Sequence, residues 1–191
     1  MTSYPIALLI HLLALLAATA ASAIVHFAAT RRAAAPTLRQ AMEWGRVMGS
    51  AARVFPFAVI TLIASGAWMV SRQWGWDAGW VSAGFTGAAL LLVSGAVIGK
   101  RSAAAARASI ARLQQGGHDL PNDGRVDPVT AILGDANTGF AIAIVVVMTI
   151  KPGLAASFGL LALGAAIGAF LARGALRAGV EADEETQAEA A

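Results

Sequence analysis

The chain predicts an all-α fold: a polytopic transmembrane helix bundle of five spans, with the amino terminus outside and the carboxyl terminus cytoplasmic. Three observations carry this. First, 58% of the 191 residues are hydrophobic and only 13% are charged, about half the ~25% charge of soluble domains, so a polar-coated globule does not fit. Second, five apolar stretches approach the ~20 residues that a helix needs to cross a ~30 Å hydrocarbon core. Third, Lys and Arg are segregated into alternate connections, the pattern that orients membrane helices.

The spans, in order, are 5–29, 55–70, 81–99, 128–150 and 154–171. The fourth is apolar throughout only from Phe140 to Ile150, so it spans only if the helix starts at Asp127-Pro128 and takes Asp135 and Asn137 with it. Asp followed by Pro suits an N-cap and first helical position. Residues 1–178 form one transmembrane domain, and 179–191, with five acids and no base, is expected to be a disordered acidic tail.

The amino-terminal run includes small-residue patterns over Ala17–Ala23 that resemble signal-peptide cleavage sites. No Lys or Arg precedes it, however, and Arg31-Arg32 follow it directly, the arrangement of a retained helix with its amino end outside. Arg31, Arg32, Arg39, Arg46 and Arg53 lie between spans one and two, and Lys100, Arg101, Arg107, Arg112 and Arg125 between three and four. Arg173 and Arg177 follow span five, while only Arg72 and Lys151 fall on the other side. Short loops rich in Lys and Arg stay in the cytoplasm, which puts the amino terminus outside and the carboxyl terminus inside.

Between spans, Arg39, Glu43, Arg46, Ser50 and Arg53 repeat at helical spacing opposite Leu38, Met42, Gly45, Met48 and Ala52. This predicts an amphipathic helix capped by Thr37, lying on the inner leaflet or extending span two, with Glu43 paired to Arg39 or Arg46. Residues 114–125, with Gly116-Gly117, Pro121 and Asn122-Asp123-Gly124, form a turn-rich loop in which His118 is solvated. Its Asp119, Asp123 and Asp127 lack the glutamate of an EF-hand. Trp74, Trp76 and Trp80 cluster in the short outer connection, as in an interfacial aromatic belt.

Close helix packing in lipid relies on small residues. Gly95 and Gly99, Gly164 and Gly168, and the series Ala14, Ala18, Ser22 supply them. They serve intramolecular packing, with a homodimer as the alternative use; the lipid bilayer is the evident partner, and no protein partner is specified. The basic pI of ≈ 10.2 does not imply nucleic-acid binding, because the arginines flank apolar runs rather than cluster on a folded face.

Ionisable groups at membrane depth are costly and are the default functional candidates. His11 lies ~9 Å below the outer end of span one; His26 is ~22 Å deeper and about 60° round the helix, on roughly the same stripe as Ala14, Ala18 and Ser22. Asp135 falls near the level of His26, so a contact between them is geometrically allowed. Lys151 closes span four before Pro152-Gly153. These four, His11, His26, Asp135 and Lys151, are the candidate cofactor-binding residues, with His11 the candidate metal ligand. A two-haem scheme would need further histidines on a facing helix, and the remaining one, His118, is in a loop. No cysteine is present, which excludes disulfides and thiolate metal sites. Hydrolase, zincin, Walker and dinucleotide motifs are absent from the sequence, so no cofactor, substrate or catalytic residue is specified.

His11 in an apolar first helix, the basic amphipathic loop, the phrase Ile60-Thr61-Leu62-Ile63-Ala64-Ser65-Gly66, and Met148-Thr149-Ile150-Lys151-Pro152 together resemble small bacterial integral membrane proteins of the copper-resistance-D-like group, and more distantly HemJ-like proteins. The resemblance implies a four- or five-helix bundle with metal or haem handling in which His11 matters. HemJ-like proteins pair a first-helix histidine with a lysine in a later helix. Lys151 does not match that lysine by motif, and the methionine- and histidine-rich copper signature is missing. The expected role is therefore a membrane interaction or accessory component, with a haem- or copper-handling redox protein using His11 as the alternative.

Overall fold

The computed structural model describes residues 3–114 and 127–189, and the turn-rich loop expected around His118 lies outside them. The described chain is all-α. Helix α1 spans Ser3–Ala33, α2 Leu38–Ala52, α3 Val54–Met69, α4 Gly79–Gln114, α5 Pro128–Ile150 and α6 Leu154–Glu189. Five stretches are long and apolar enough to cross a membrane, α2 and α3 counting together as one of them. This is the five-span bundle that the hydropathy predicts.

The bundle is inverted relative to a soluble protein. Large apolar side chains such as Leu9, Leu16, Phe57, Leu90 and Phe170 are exposed, while alanine is the commonest residue at the buried positions between helices. Lipid is as apolar as leucine, so burying leucine gains little there, and small residues that let backbones approach provide the contact. On α1 the buried alanines Ala14, Ala21 and Ala28 recur every seven residues, the period of a left-handed helix pair.

Thr37 caps α2 by accepting from the backbone N–H of Gln40, as its position after Pro36 predicts. Arg53 alone separates α2 from α3. The cause is Pro56, which has no N–H for the carbonyl of Ala52 and whose ring crowds that carbonyl. Across this break α2 and α3 form one rod antiparallel to α1: Arg32 reaches Gly45 at one end, and the ring of His11 lies against Gly66 at the other. Of the two placements open to the amphipathic helix, the extension of span two is the one found.

α3 ends in a wide π-helical turn over Val70–Trp74, closed by Gly75 at φ 76°, a left-handed conformation that glycine adopts without penalty. α4 then returns beside α5. The pairs Gly84 with Met148, Gly87 with Ile144, and Ser94 with Asn137 step in opposite directions along the two helices. A core of Ala83, Ala143, Val147 and Leu161 joins α4, α5 and α6. The tightest crossing is α5 on α6, where Gly139 and Gly164 meet backbone to backbone and Gly168 lies against the carbonyl of Asp135. Gly164 and Gly168 thus serve intramolecular packing as expected. A Cβ at Gly95 or Gly99 would meet nothing within 4 Å, so that face of α4 stays open.

α6 carries its helix to Glu189, through the segment expected to be a disordered tail from residue 179. Alanine, glutamate and glutamine, which dominate there, are strong helix formers.

Candidate functional site

Polar side chains join the helices at three levels of the bundle, two within the spans and one at the end of α5. In the half near the amino terminus, His11 Nδ1 is 3.0 Å from Ser65 Oγ. The Ser65 hydroxyl donates to the carbonyl of Thr61, which occupies its single proton. It therefore accepts from His11, so the imidazole proton sits on Nδ1 and the lone pair on Nε2. The ring is seated where α3 has Gly66: a Cβ there would lie 3.6 Å from His11 Cε1.

At the next level, His26 Nε2 is 3.1 Å from Thr138 Oγ1, and Thr138 donates to the carbonyl of Gly134. His26 Nε2 and Thr138 Oγ1 thus share a hydrogen bond between α1 and α5. His26 Nδ1 faces Asp135 Oδ1 at 3.5 Å, with the two side chains 45% and 36% exposed. The contact between His26 and Asp135 that their heights allow is present, at a distance longer than a good hydrogen bond. On another face of α5, Ser94 and Asn137 Oδ1 are 2.9 Å apart, tying α4 in.

The two histidines do not share neighbours, which corrects the expectation of a common stripe. His11 belongs to the packed face of α1 and meets α3, whereas His26 meets α5. A rotation of about 60° over fifteen residues is enough to carry a side chain from one neighbouring helix to the next.

The third level is an ion pair at the mouth of α5. Asp127 caps the helix through the N–H of Thr130 and accepts from its hydroxyl at 2.8 Å. Its carboxylate also receives two bonds from Arg101, at 3.1 and 2.8 Å. The Arg101 guanidinium, with the Thr130 hydroxyl, holds the Asp127 carboxyl below the ordinary carboxylate range.

Lys151 is at the opposite end. It terminates α5 in a left-handed conformation, φ 55° and ψ 52°, and its N–H bonds the carbonyl of Val147. Its ammonium lies 3.5 Å from the Trp74 ring centroid and 5.7 Å from that of Trp80. The two indoles stand at 84° to one another, so the lysine is cradled by two aromatic faces. Gly79, beside Trp80, abuts the backbone of Leu154, so the turn after α3 and the turn after α5 are locked together here.

The structure thus brings His26 and Asp135 together and gives His11 and Lys151 separate partners. Ser65, Thr138, Trp74 and Trp80 are the partners that sequence reasoning did not assign. Among the described residues, no group of three or more His, Cys, Asp or Glu side chains is placed to hold a metal ion. Compared with known proteins, the chain matches no family model, no curated protein and no solved structure.

Proposed function

We propose that this protein is an accessory or interaction component of a bacterial inner membrane, oriented with its amino terminus outside and its carboxyl terminus cytoplasmic. The observation that supports this best is the use of its intramembrane polar groups. His11, His26, Ser94 and Thr138 each engage a side chain of another helix, so they act as ties between spans. The orientation rests on charge: among the described residues Arg72 and Lys151 lie at the Trp-rich end, and the remaining cations lie toward the other. A homodimer, if formed, would use the open Gly95 and Gly99 face of α4.

Reporter fusions at Gly79 and Arg107 test the orientation. Periplasmic activity at Gly79 and cytoplasmic activity at Arg107 are expected, and the reverse result refutes it. Affinity purification from crosslinked membranes tests the accessory role: a stoichiometric protein partner is expected, and its absence counts against it.

One observation favours a second reading, a haem- or copper-handling redox protein. The hydrogen bond to Ser65 fixes the His11 ring and leaves Nε2 as the lone-pair nitrogen, the state a metal ligand needs. The resemblance to copper-resistance-D-like and HemJ-like proteins points the same way. An absorption spectrum and metal analysis of protein purified from haem- and copper-replete cells decides it. A Soret band or stoichiometric copper lost in His11→Ala supports this reading, and a colourless, metal-free preparation refutes it.

A further inference from the structure

We infer that His26, Asp135 and Thr138 form a proton-binding clamp: uptake of one proton from the aqueous phase completes the hydrogen-bond network that joins α1 to α5. Three contacts make up this network. His26 Nδ1 faces Asp135 Oδ1 at 3.5 Å, His26 Nε2 lies 3.1 Å from Thr138 Oγ1, and Thr138 Oγ1 lies 3.1 Å from the carbonyl of Gly134. Each contact needs one proton between its two heavy atoms. A neutral imidazole carries one and the hydroxyl another, while an ionised carboxylate carries none. With either tautomer the neutral assembly is therefore one bond short. Imidazolium has a proton on both nitrogens and makes all three bonds at once. The longest of the three contacts is the one to Asp135.

The place of the network in the fold gives the proton its effect. α1 packs along α2 and α3, whereas α5 packs on α4 and α6, and the two groups of helices meet over a short stretch of α3 and α4. The network crosses from one group to the other. A change in its strength therefore acts on how closely the two groups approach. Because the proton binds the joined arrangement better than the parted one, joining is favoured at acid pH and relaxes as pH rises.

Position and charge both suit such a site. His26 is five residues, about 7.5 Å, from Arg31 near the end of α1, and the side chains of His26 and Asp135 are both partly exposed, which gives the proton a path from that side. Arg31 lies over Phe27 and Arg32 reaches Gly45; Arg101 is bonded to Asp127, and Glu43 lies beside Arg39. Together with Arg46 and Arg53 on α2 and Arg173 on α6, these arginines oppose added charge on the ring. Among the described residues none of them forms an ion pair with Asp135, which leaves its carboxylate to His26. A charge at contact outweighs charges a turn or more away in partly hydrated surroundings. The other described histidine, His11, is bonded to Ser65 on α3. The inference does not depend on which end is cytoplasmic.

Distance measurement between spin labels on the full chain in detergent tests it. The chain has no cysteine, so Ala33→Cys at the end of α1 and Val129→Cys at the start of α5 place one label on each group of helices. Between about pH 8 and about pH 5.5, where histidine changes charge, the ratio of short to long distances should rise roughly tenfold. Asp127 stays ionised over that range, so its ion pair does not contribute. Asp135→Asn supplies the missing donor from its amide and removes the carboxylate charge, and it should hold the short distance at both pH values. His26→Gln, which cannot titrate, should also abolish the pH dependence, and it keeps the test decisive should Asp135→Asn fail to fold. A distance distribution that does not change with pH in the labelled parent overturns the proposal, as does a pH dependence that survives either substitution. The first of these results leaves His26 standing as a tie between spans, because the inference rests on that reading and adds the proton to it.

Discussion

His26 and Thr138 join two halves of the bundle that otherwise touch sparingly. α1 packs along α2 and α3, α4, α5 and α6 pack on one another, and α3 meets α4 over a short stretch. The hydrogen bond between His26 Nε2 and Thr138 Oγ1 crosses from the first group to the second, with Asp135 flanking it. Hydrogen bonds between membrane helices contribute about 0.6 kcal/mol on average. Thr138→Val and His26→Ala should therefore each lower thermal stability in detergent modestly. The double variant should show a coupling of about 0.6 kcal/mol, and strict additivity would mean that the two side chains do not interact.

Gly168 and Gly95 should respond oppositely to the same change. A Cβ at Gly168 would meet the carbonyl carbon of Asp135 at 2.7 Å and the Cα of Ala136 at 3.0 Å, so α5 and α6 must separate. Gly168→Ala should cost about 1–3 kcal/mol. Gly95→Ala meets open space and should be neutral or stabilising by up to about 1 kcal/mol through helix propensity. Denaturant or thermal titration of the two variants side by side checks the contrast.

Lys151 combines a strained backbone with a cation held on Trp74. Lys151→Ala loses the cation while keeping the left-handed strain, whereas Lys151→Gly loses the cation and relieves it. The glycine variant should be the more stable of the two by about 1 kcal/mol. Both should change the tryptophan emission spectrum, because Trp74 and Trp80 lose their charged neighbour. Equal stability would indicate that the left-handed turn is not maintained.

Asp127 gives the bundle a dependence on acid. Its carboxyl is depressed by Arg101 and then by Thr130, so the folded state prefers the ionised form more than the unfolded chain does. The resulting stabilisation is fully present above the unfolded carboxyl's pKa and is lost as pH falls through the lower, folded one. Carbon NMR of aspartate-labelled protein should find Asp127 titrating below an ordinary aspartate, and Arg101→Gln should shift it upward. A normal titration in both proteins would mean that the ion pair is not formed in solution.

The parts of this fold that depend on composition along the chain were legible in the sequence. Apolar run length marks the five spans, and the caps at Thr37 and Asp127 follow from local chemistry that needs no tertiary information. The pairing of Arg39 with Glu43 is equally local. Which helix faces His11 was not legible, because a 60° difference in azimuth decides between neighbours, and hydropathy does not encode azimuth when every face is apolar. Ser65 and Thr138 look like ordinary span residues until α3 and α5 are set beside α1. Likewise, two glycine pairs of the same spacing occur in α4 and α6, and only the one opposite Gly139 is used. The cradle around Lys151 depends on the wide turn at Val70–Trp74, whose extra residue per turn has no clear signature in the sequence.

The account stands most directly on partition between membrane and water. Membranes from expressing cells, washed with alkaline carbonate and centrifuged at high speed, should retain the protein in the pellet and release it only when detergent is added. Recovery of folded, monodisperse protein in the detergent-free supernatant would contradict the reading of α1 through α6 as lipid-crossing helices.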